Sequence, residues 1–164
     1  MNRGFQTTDI CDEFPDSVSV CEPIFASYGA TTSFQGPIST VRVYEDNVLV
    51  REALEDLLPG TVLVVDGGGS KRRALLGDKL ASIAATRGLA GIIINGCLRD
   101  SREISEIGVG VLALATHPRK SRKRGEGERD VNVEFGGVSW VPGHYIYADD
   151  DGVLLATHNL YSGV

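Results

Sequence analysis

The 164-residue sequence contains no apolar run long enough to cross a membrane, and its three cysteines include no CxxC pair. The first absence excludes a helical membrane protein. The second fits Cys11, Cys21 and Cys97 as reduced thiols filling small apolar spaces, and argues against a disulfide frame or a structural zinc site. Positive charge is also in deficit: 16 Lys and Arg against 22 Asp and Glu leave a formal charge of −6. The field of the whole molecule therefore repels nucleic acid and anionic membranes, and neither is expected as a direct partner. The one basic stretch, "RKSRKRGEGER" at 119–129, holds no aromatic residue to stack on a base. It reads as a mobile, solvated turn rather than an RNA-binding loop. The first sixteen residues turn acidic early and lack the basic-then-apolar order of a secretory signal, which predicts residence in the cytoplasm.

What is present suits a single domain over 1–164. "FQGPISTVRVYED" alternates apolar and polar through Ile38, Val41 and Val43, the mark of a strand with one buried face. "NVLVREALEDLLPG" places Val48, Leu49, Ala53, Leu54 and Leu57 near helical spacing, and Pro59-Gly60 ends it. "TVLVVDGGGS" is a buried strand running into a glycine loop. "GDKLASIAATRG" is a helix with Leu80, Ile83 and Ala84 on one face, and "AGIIINGC" is a second buried strand. Strand, loop, helix and strand form one βαβ unit with parallel strands. Near the N-terminus, Thr8 or Asp9 is the expected cap of a short helix that Pro15 limits. The later part is a series of short strands separated by Gly-Gly, Pro-Gly and Asp-Asp-Gly turns. The predicted class is α/β: a three-layer β/β/α domain with a parallel βαβ core and a strand-rich C-terminal part.

Ligands of parallel sheets sit beyond the carboxyl ends of the strands. There the sequence delivers Asp66 with "GGGS", then Asn95, Gly96, Arg99 and Asp100, with the helix start at Gly77–Leu80 between them. "DGGGS" is rich in glycine but has neither the GxGxxG spacing nor the Walker pattern, so a nucleotide or S-adenosylmethionine cofactor is not indicated. The N–H groups at the helix start can hold a small carboxylate instead. Arg99 and Asp100 are either a solvated surface pair or a pair facing a ligand. Asp78 lies twenty intervening residues before Arg99, giving Asp-x20-Arg-Asp across the βαβ unit. His117, His144 and His158 fall late in the chain and read as structural or surface residues, and Asp149–Asp151 as a turn.

The stretches "ICDEF", "EPIF", "SFQGPISTVRVYEDN", "VLVVDGGGSKRRALLGDKLA", "GIIINGCLRD" and "GERDVNVEFGGVSWVPGHYIYADDDGVLL" resemble, in order, the regulator of ribonuclease activity A family. That family includes class II 4-hydroxy-4-methyl-2-oxoglutarate aldolases. The likeness runs from about Thr8 to Leu155, and Asp-x20-Arg-Asp is the signature of its aldolase members. It implies retro-aldol cleavage of 4-hydroxy-4-methyl-2-oxoglutarate to two pyruvates, with oxaloacetate decarboxylation through the same pyruvate enolate. Under this resemblance Asp100 is the ligand of a divalent cation, Mg2+ or Mn2+, and Arg99 stabilises the enolate oxygen. Gly77, Asp78, Lys79, Leu80 and Arg99 bind the substrate, while the Asp78 side chain orients Arg99 or the waters of the metal. A metal-ordered water is the candidate acceptor of the C4 hydroxyl proton. A Schiff base on Lys71 or Lys79 is disfavoured, because the metal already supplies the electron sink. The resemblance also implies a homotrimer, and the alternative of a non-catalytic inhibitor that binds an RNase E-type endoribonuclease.

Overall fold

A computed structural model describes residues 4–162. The chain runs α1 (Thr7–Glu13), β1 (Ser19–Val20), β2 (Ala26–Ser27), β3 (Phe34–Arg42), α2 (Val48–Asp56), β4 (Val62–Asp66), β5 (Ala74–Leu76), α3 (Asp78–Thr86) and β6 (Gly91–Leu98). It continues through α4 (Ser101–Ile104), β7 (Gly110–Thr116), β8 (Glu128–Arg129), β9 (Val133–Phe135), β10 (Val138–Trp140), β11 (Tyr145–Asp149) and β12 (Gly152–Ala156). The main sheet is ordered β1-β12-β11-β3-β4-β6-β7-β2 and does not close into a barrel; β5 pairs with β6 and β8 with β3.

Its centre is parallel: β3 pairs with β4, β4 with β6 and β6 with β7. The expected βαβ unit is β4, α3 and β6, with Val62 to Asp66 facing Gly91 to Asn95 residue by residue. Both faces of β4 are covered. Leu63 and Val65 point into a core shared with Leu54 of α2 and Ala81 and Ala84 of α3. Val62 and Val64 point the opposite way, toward Trp140 of the β9–β10 hairpin and Ile146 of β11. An uninterrupted apolar run rich in valine is the sequence such two-sided burial requires. Among the described residues no helix is long and apolar enough to cross a membrane.

Four local features depart from the sequence reading. Helix α1 begins at Thr7, with Gln6 as its N-cap. Asp149, distant in sequence, accepts from Thr7 N–H at 2.8 Å and from its hydroxyl at 2.7 Å, so a tertiary contact does the work expected of Thr8 or Asp9. Strand β5 and helix α4 were not foreseen, because three and four residues are too few to display a period.

The fourth departure matters most for the site. The basic stretch at 119–129 is largely exposed, as expected, but it is not a free turn. Its backbone is tied to the sheet: Lys120 bridges Ala74 and Arg122 bridges Asp46 in parallel fashion, and Glu128 and Arg129 form β8 against β3. Ser121 is 2% exposed, and its hydroxyl donates to Ala74 O at 2.7 Å. Composition predicted solvation of the side chains; it did not register backbone bonds to segments far away in sequence.

Candidate active site

A cleft of about 330 Å³ opens where β5 and β6 leave the sheet. That volume lies within the ordinary range for small-ligand sites. Gly77, Asp78, Lys79 and Leu80 from the start of α3 line one side, with Arg99 and Asp100 following β6. Asn47, Val48 and Arg51 from the start of α2 and Lys120, Ser121 and Lys123 from the basic segment line the other. Every residue assigned to substrate or metal therefore borders one cavity, whereas Asp66, Asn95 and Gly96, also expected at the ligand end of the strands, do not line it. Asn47, Arg51, Lys120 and Lys123 went unremarked as site residues; for Asn47 the signal was available, since Asp-Asn before an apolar period marks a helix start.

Strand β6 delivers Arg99, whose N–H donates to Leu76 O at 2.9 Å, so the backbone is held against β5 up to that residue. Asp100 then turns into the left-handed region, at φ 58° and ψ 41°. This conformation costs an L-residue roughly 1–2 kcal/mol and is best tolerated by Asn and Asp. The turn directs the Asp100 carboxylate back to α3, where Oδ2 accepts the N–H of Asp78 at 3.1 Å. Gly77 makes this approach possible: a Cβ there would stand 2.8 Å from Asp100 Oδ2.

Several groups in the cleft are left without protein partners. The Asp100 carboxylate accepts no other hydrogen bond among the described residues, so Oδ1 is free, and the Asp78 carboxylate has no hydrogen-bond partner among them. Arg99 forms no ion pair within 4.0 Å among the described residues, with Asp100, Asp78 or any other carboxylate. The adjacent Arg-Asp is thus not a surface ion pair, and Asp78 does not clamp Arg99. Asp78 N–H is occupied by Asp100, and the N–H groups of Lys79 and Leu80 in the first turn have no partner among the described residues.

The donor set suits a hard divalent cation of the magnesium type. Such ions take one or two protein carboxylates and keep several waters. Among the described residues no cluster of three or more His, Cys, Asp or Glu side chains forms a complete cage. Asp100 and Asp78 offer free carboxylate oxygens on one cleft wall, with room for water and an oxygen-rich ligand. No histidine lines the cleft among the described residues.

The glycine loop plays another part. The N–H groups of Gly67 and Gly69 both donate to Asn95 O at 3.1 Å, Gly68 N–H donates to Asp66 Oδ1 at 2.9 Å, and Ser70 N–H to Gly67 O at 3.3 Å. These donors are consumed within the protein and do not form a phosphate cradle. Beyond the loop, Ser70 Oγ and Arg72 Nε both bind Glu45 Oε2, at 2.6 and 2.8 Å. The Ser70 hydroxyl above all, and then Arg72, hold the buried Glu45 carboxyl below the usual carboxylate range, against the opposing effect of burial.

Similarities to known proteins converge on one family and carry three functional names. A family model described as RraA-like, Aldolase/RraA, matches residues 7–155. A Bacillus cereus relative, provisionally named a 4-hydroxy-4-methyl-2-oxoglutarate aldolase, is 52% identical over 157 residues, covering 96% of this chain and 99% of its own. A crystal structure from Geobacillus kaustophilus, described as an S-adenosylmethionine: 2-dimethylmenaquinone methyltransferase, superposes with a TM-score of 0.96 at 60% identity, covering 98% of this chain and 99% of that one. The RNA-processing inhibitor RraA from Thermus thermophilis superposes with a TM-score of 0.93 at 46% identity, covering 98% of this chain and 96% of that one.

Proposed function

The chain belongs to the RraA-like family, and from that premise we propose that it is a class II aldolase. Its substrate in this reading is 4-hydroxy-4-methyl-2-oxoglutarate, cleaved to two pyruvates, with oxaloacetate decarboxylation as a second activity. The observation that carries the proposal is the convergence of Arg99, Asp100 and the start of α3 on one cleft, where the Arg99 guanidinium and Asp100 Oδ1 have no partner among the described residues.

Both reactions break a bond to C3 of a 2-oxo acid and leave the electron pair as a pyruvate enolate. The C4 hydroxyl proton is lost in the aldol cleavage, and C3 is protonated afterwards. Negative charge on the C2 oxygen is the main obstacle, and Arg99 supplies a permanent guanidinium that no carboxylate among the described residues neutralises. The unpaired N–H groups of Lys79 and Leu80 hold the C1 carboxylate. Asp100, with the free Asp78 carboxylate near it, would hold Mg2+ or Mn2+, which when bound contributes Lewis-acid charge neutralisation and a template for a 2-oxo acid.

The methyltransferase description of the Geobacillus relative finds little support here, because the glycine-loop donors are engaged by Asp66, Gly67 and Asn95. The likeness to the Thermus RNA-processing inhibitor supports a second reading, in which the chain restrains an endoribonuclease by protein contact. The family resemblance also implies a homotrimer, which light scattering tests. Pyruvate release from 4-hydroxy-4-methyl-2-oxoglutarate separates the readings. The aldolase turns over with Mg2+ or Mn2+ and stops with chelator or in R99A. A pure regulator shows no turnover at any metal concentration and binds its partner equally well as R99A.

A further inference from the structure

Three non-glycine residues among those described have positive φ: Glu45 at 56°, Asp100 at 58° and Asp130 at 59°. Asp100 lines the cleft; Glu45 does not, and it lies two residues before Asn47, which does. The left-handed region suits glycine, asparagine and aspartate better than glutamate. A turn alone would be served by glycine, so what glutamate adds at this position is its carboxylate.

Glu45 is 4% exposed and bonds to two segments far away in sequence. Its Oε2 accepts from the Ser70 hydroxyl and from Arg72 Nε, and its Oε1 lies 3.9 Å from Arg73 Nε. Those residues lead into β5, which brings Ala74 and Leu76 to the cleft. The main-chain carbonyl of Glu45 reaches the basic segment, where it accepts Arg122 N–H at 2.8 Å. The two segments are also tied to each other. Ala74 N–H donates to Arg119 O at 2.7 Å and Arg73 Nη1 to Lys120 O at 3.0 Å. Asn47 closes the arrangement from the start of α2: its Nδ2 donates to Leu75 O at 3.1 Å, and its Oδ1 accepts from the Lys123 ammonium at 2.6 Å. Every segment of the wall facing Arg99 and Asp100 is thus bonded to Glu45 or to a residue next to it.

We propose that Glu45 is a positioning residue of the cleft: its carboxylate and carbonyl clamp the 70–74 and 119–124 segments against the start of α2 and so set the wall opposite Arg99 and Asp100. The Ser70 hydroxyl and Arg72, which hold the carboxyl below its usual range, keep the clamp charged despite its burial. Only the kinetic consequence rests on the aldolase reading. Arg99, Asp100 and the start of α3 are joined by the contact between Asp100 and Asp78, in which Glu45 takes no part. A displaced wall therefore weakens binding in ground and transition state alike, which raises KM and leaves kcat.

The test reads binding and geometry separately in E45Q and S70A. E45Q keeps an acceptor for Ser70 and strands no fully buried cation, since Arg72 is 69% exposed and Arg73 retains Lys120 O, so it should melt close to wild type. With Mg2+ and 4-hydroxy-4-methyl-2-oxoglutarate, its KM should rise about fivefold or more while kcat stays within about twofold. Trypsin should cut E45Q within 119–124 about tenfold faster than wild type, because cleavage follows the opening of the segment. S70A, which leaves the charge in place, should move both readouts in the same direction and by less. An unchanged KM and trypsin rate in E45Q, or a fall in kcat and melting temperature at constant KM, overturns the inference. A wild type without turnover overturns the aldolase reading, and the trypsin comparison then decides on the clamp by itself.

Discussion

Asp100 Oδ2 accepts the backbone N–H of Asp78 at 3.1 Å, and the same aspartate makes no ion pair with Arg99, its neighbour in sequence. The contact fastens the end of β6 to the beginning of α3. It uses one carboxylate oxygen and leaves the other, with the Arg99 guanidinium, to the cleft. Three consequences can be measured, and a fourth prediction concerns Asp46.

Asp100→Asn retains an oxygen acceptor for Asp78 N–H and a side chain that tolerates the left-handed backbone. The variant should melt within a few degrees of wild type and lose metal-dependent turnover. Asp100→Ala loses both the acceptor and the tolerance, and should be less stable by about 1–3 kcal/mol. Thermal melts and turnover measured on both variants separate anchoring from chemistry.

Arg99→Ala should lower kcat by about 10²–10³-fold with little change in melting temperature, since Arg99 has no ion pair to lose among the described residues. Arg99→Lys should recover only a minor part of the loss, because a point charge does not reproduce a planar fork. Steady-state kinetics on the two variants provide the comparison.

Gly77→Ala introduces a methyl group 2.8 Å from Asp100 Oδ2. The backbone at Gly77, φ −127° and ψ −173°, is accessible to alanine, so the pressure falls on the carboxylate. The variant should fold and require several-fold more Mg2+ for half-maximal activity. An unchanged metal requirement would show that Asp100 can move aside without consequence.

Asp46 is 1% exposed, and its carboxylate accepts the N–H groups of Val48 at 3.1 Å, Arg124 at 2.8 Å and Glu126 at 3.4 Å. Burial alone would raise its pKa; the backbone donors outweigh burial and lower it. A depressed folded-state pKa gives stability that is complete above the unfolded value of about 3.9 and is lost as pH falls through the lower, folded value. Urea unfolding should therefore show this contribution constant from about pH 7 to 5 and declining below about pH 4. Asp46→Asn should cost about 1–3 kcal/mol at neutral pH and be less sensitive to acid than wild type over that window.

The sequence carried the parallel core well, because β4 and β6 are uninterrupted apolar runs and α3 shows a clean helical period ended by Gly88. The walls from Gly77 to Leu80 and from Arg99 to Asp100 were legible through the strand end and helix start of one βαβ unit, and their roles through the family resemblance. The opposite wall was not. Lys120, Ser121 and Lys123 lie in a stretch whose composition is that of a solvated turn, and the bonds that anchor it run to Ala74, Glu45 and Asp46. A partner dozens of residues away leaves no period or spacing to read. Asp149 shows the same limit: the last residue of β11, beside a polar turn, it also caps α1 through Thr7.

The central claim is that Arg99 and the Asp100 site together stabilise a pyruvate enolate. It is tested most directly by incubating the protein with pyruvate in D2O and following the methyl signal by proton NMR. The signal should disappear with Mg2+ present and persist with chelator or in Arg99→Ala. Exchange at an equal rate in Arg99→Ala, or none in the metal-supplied wild type, would contradict it.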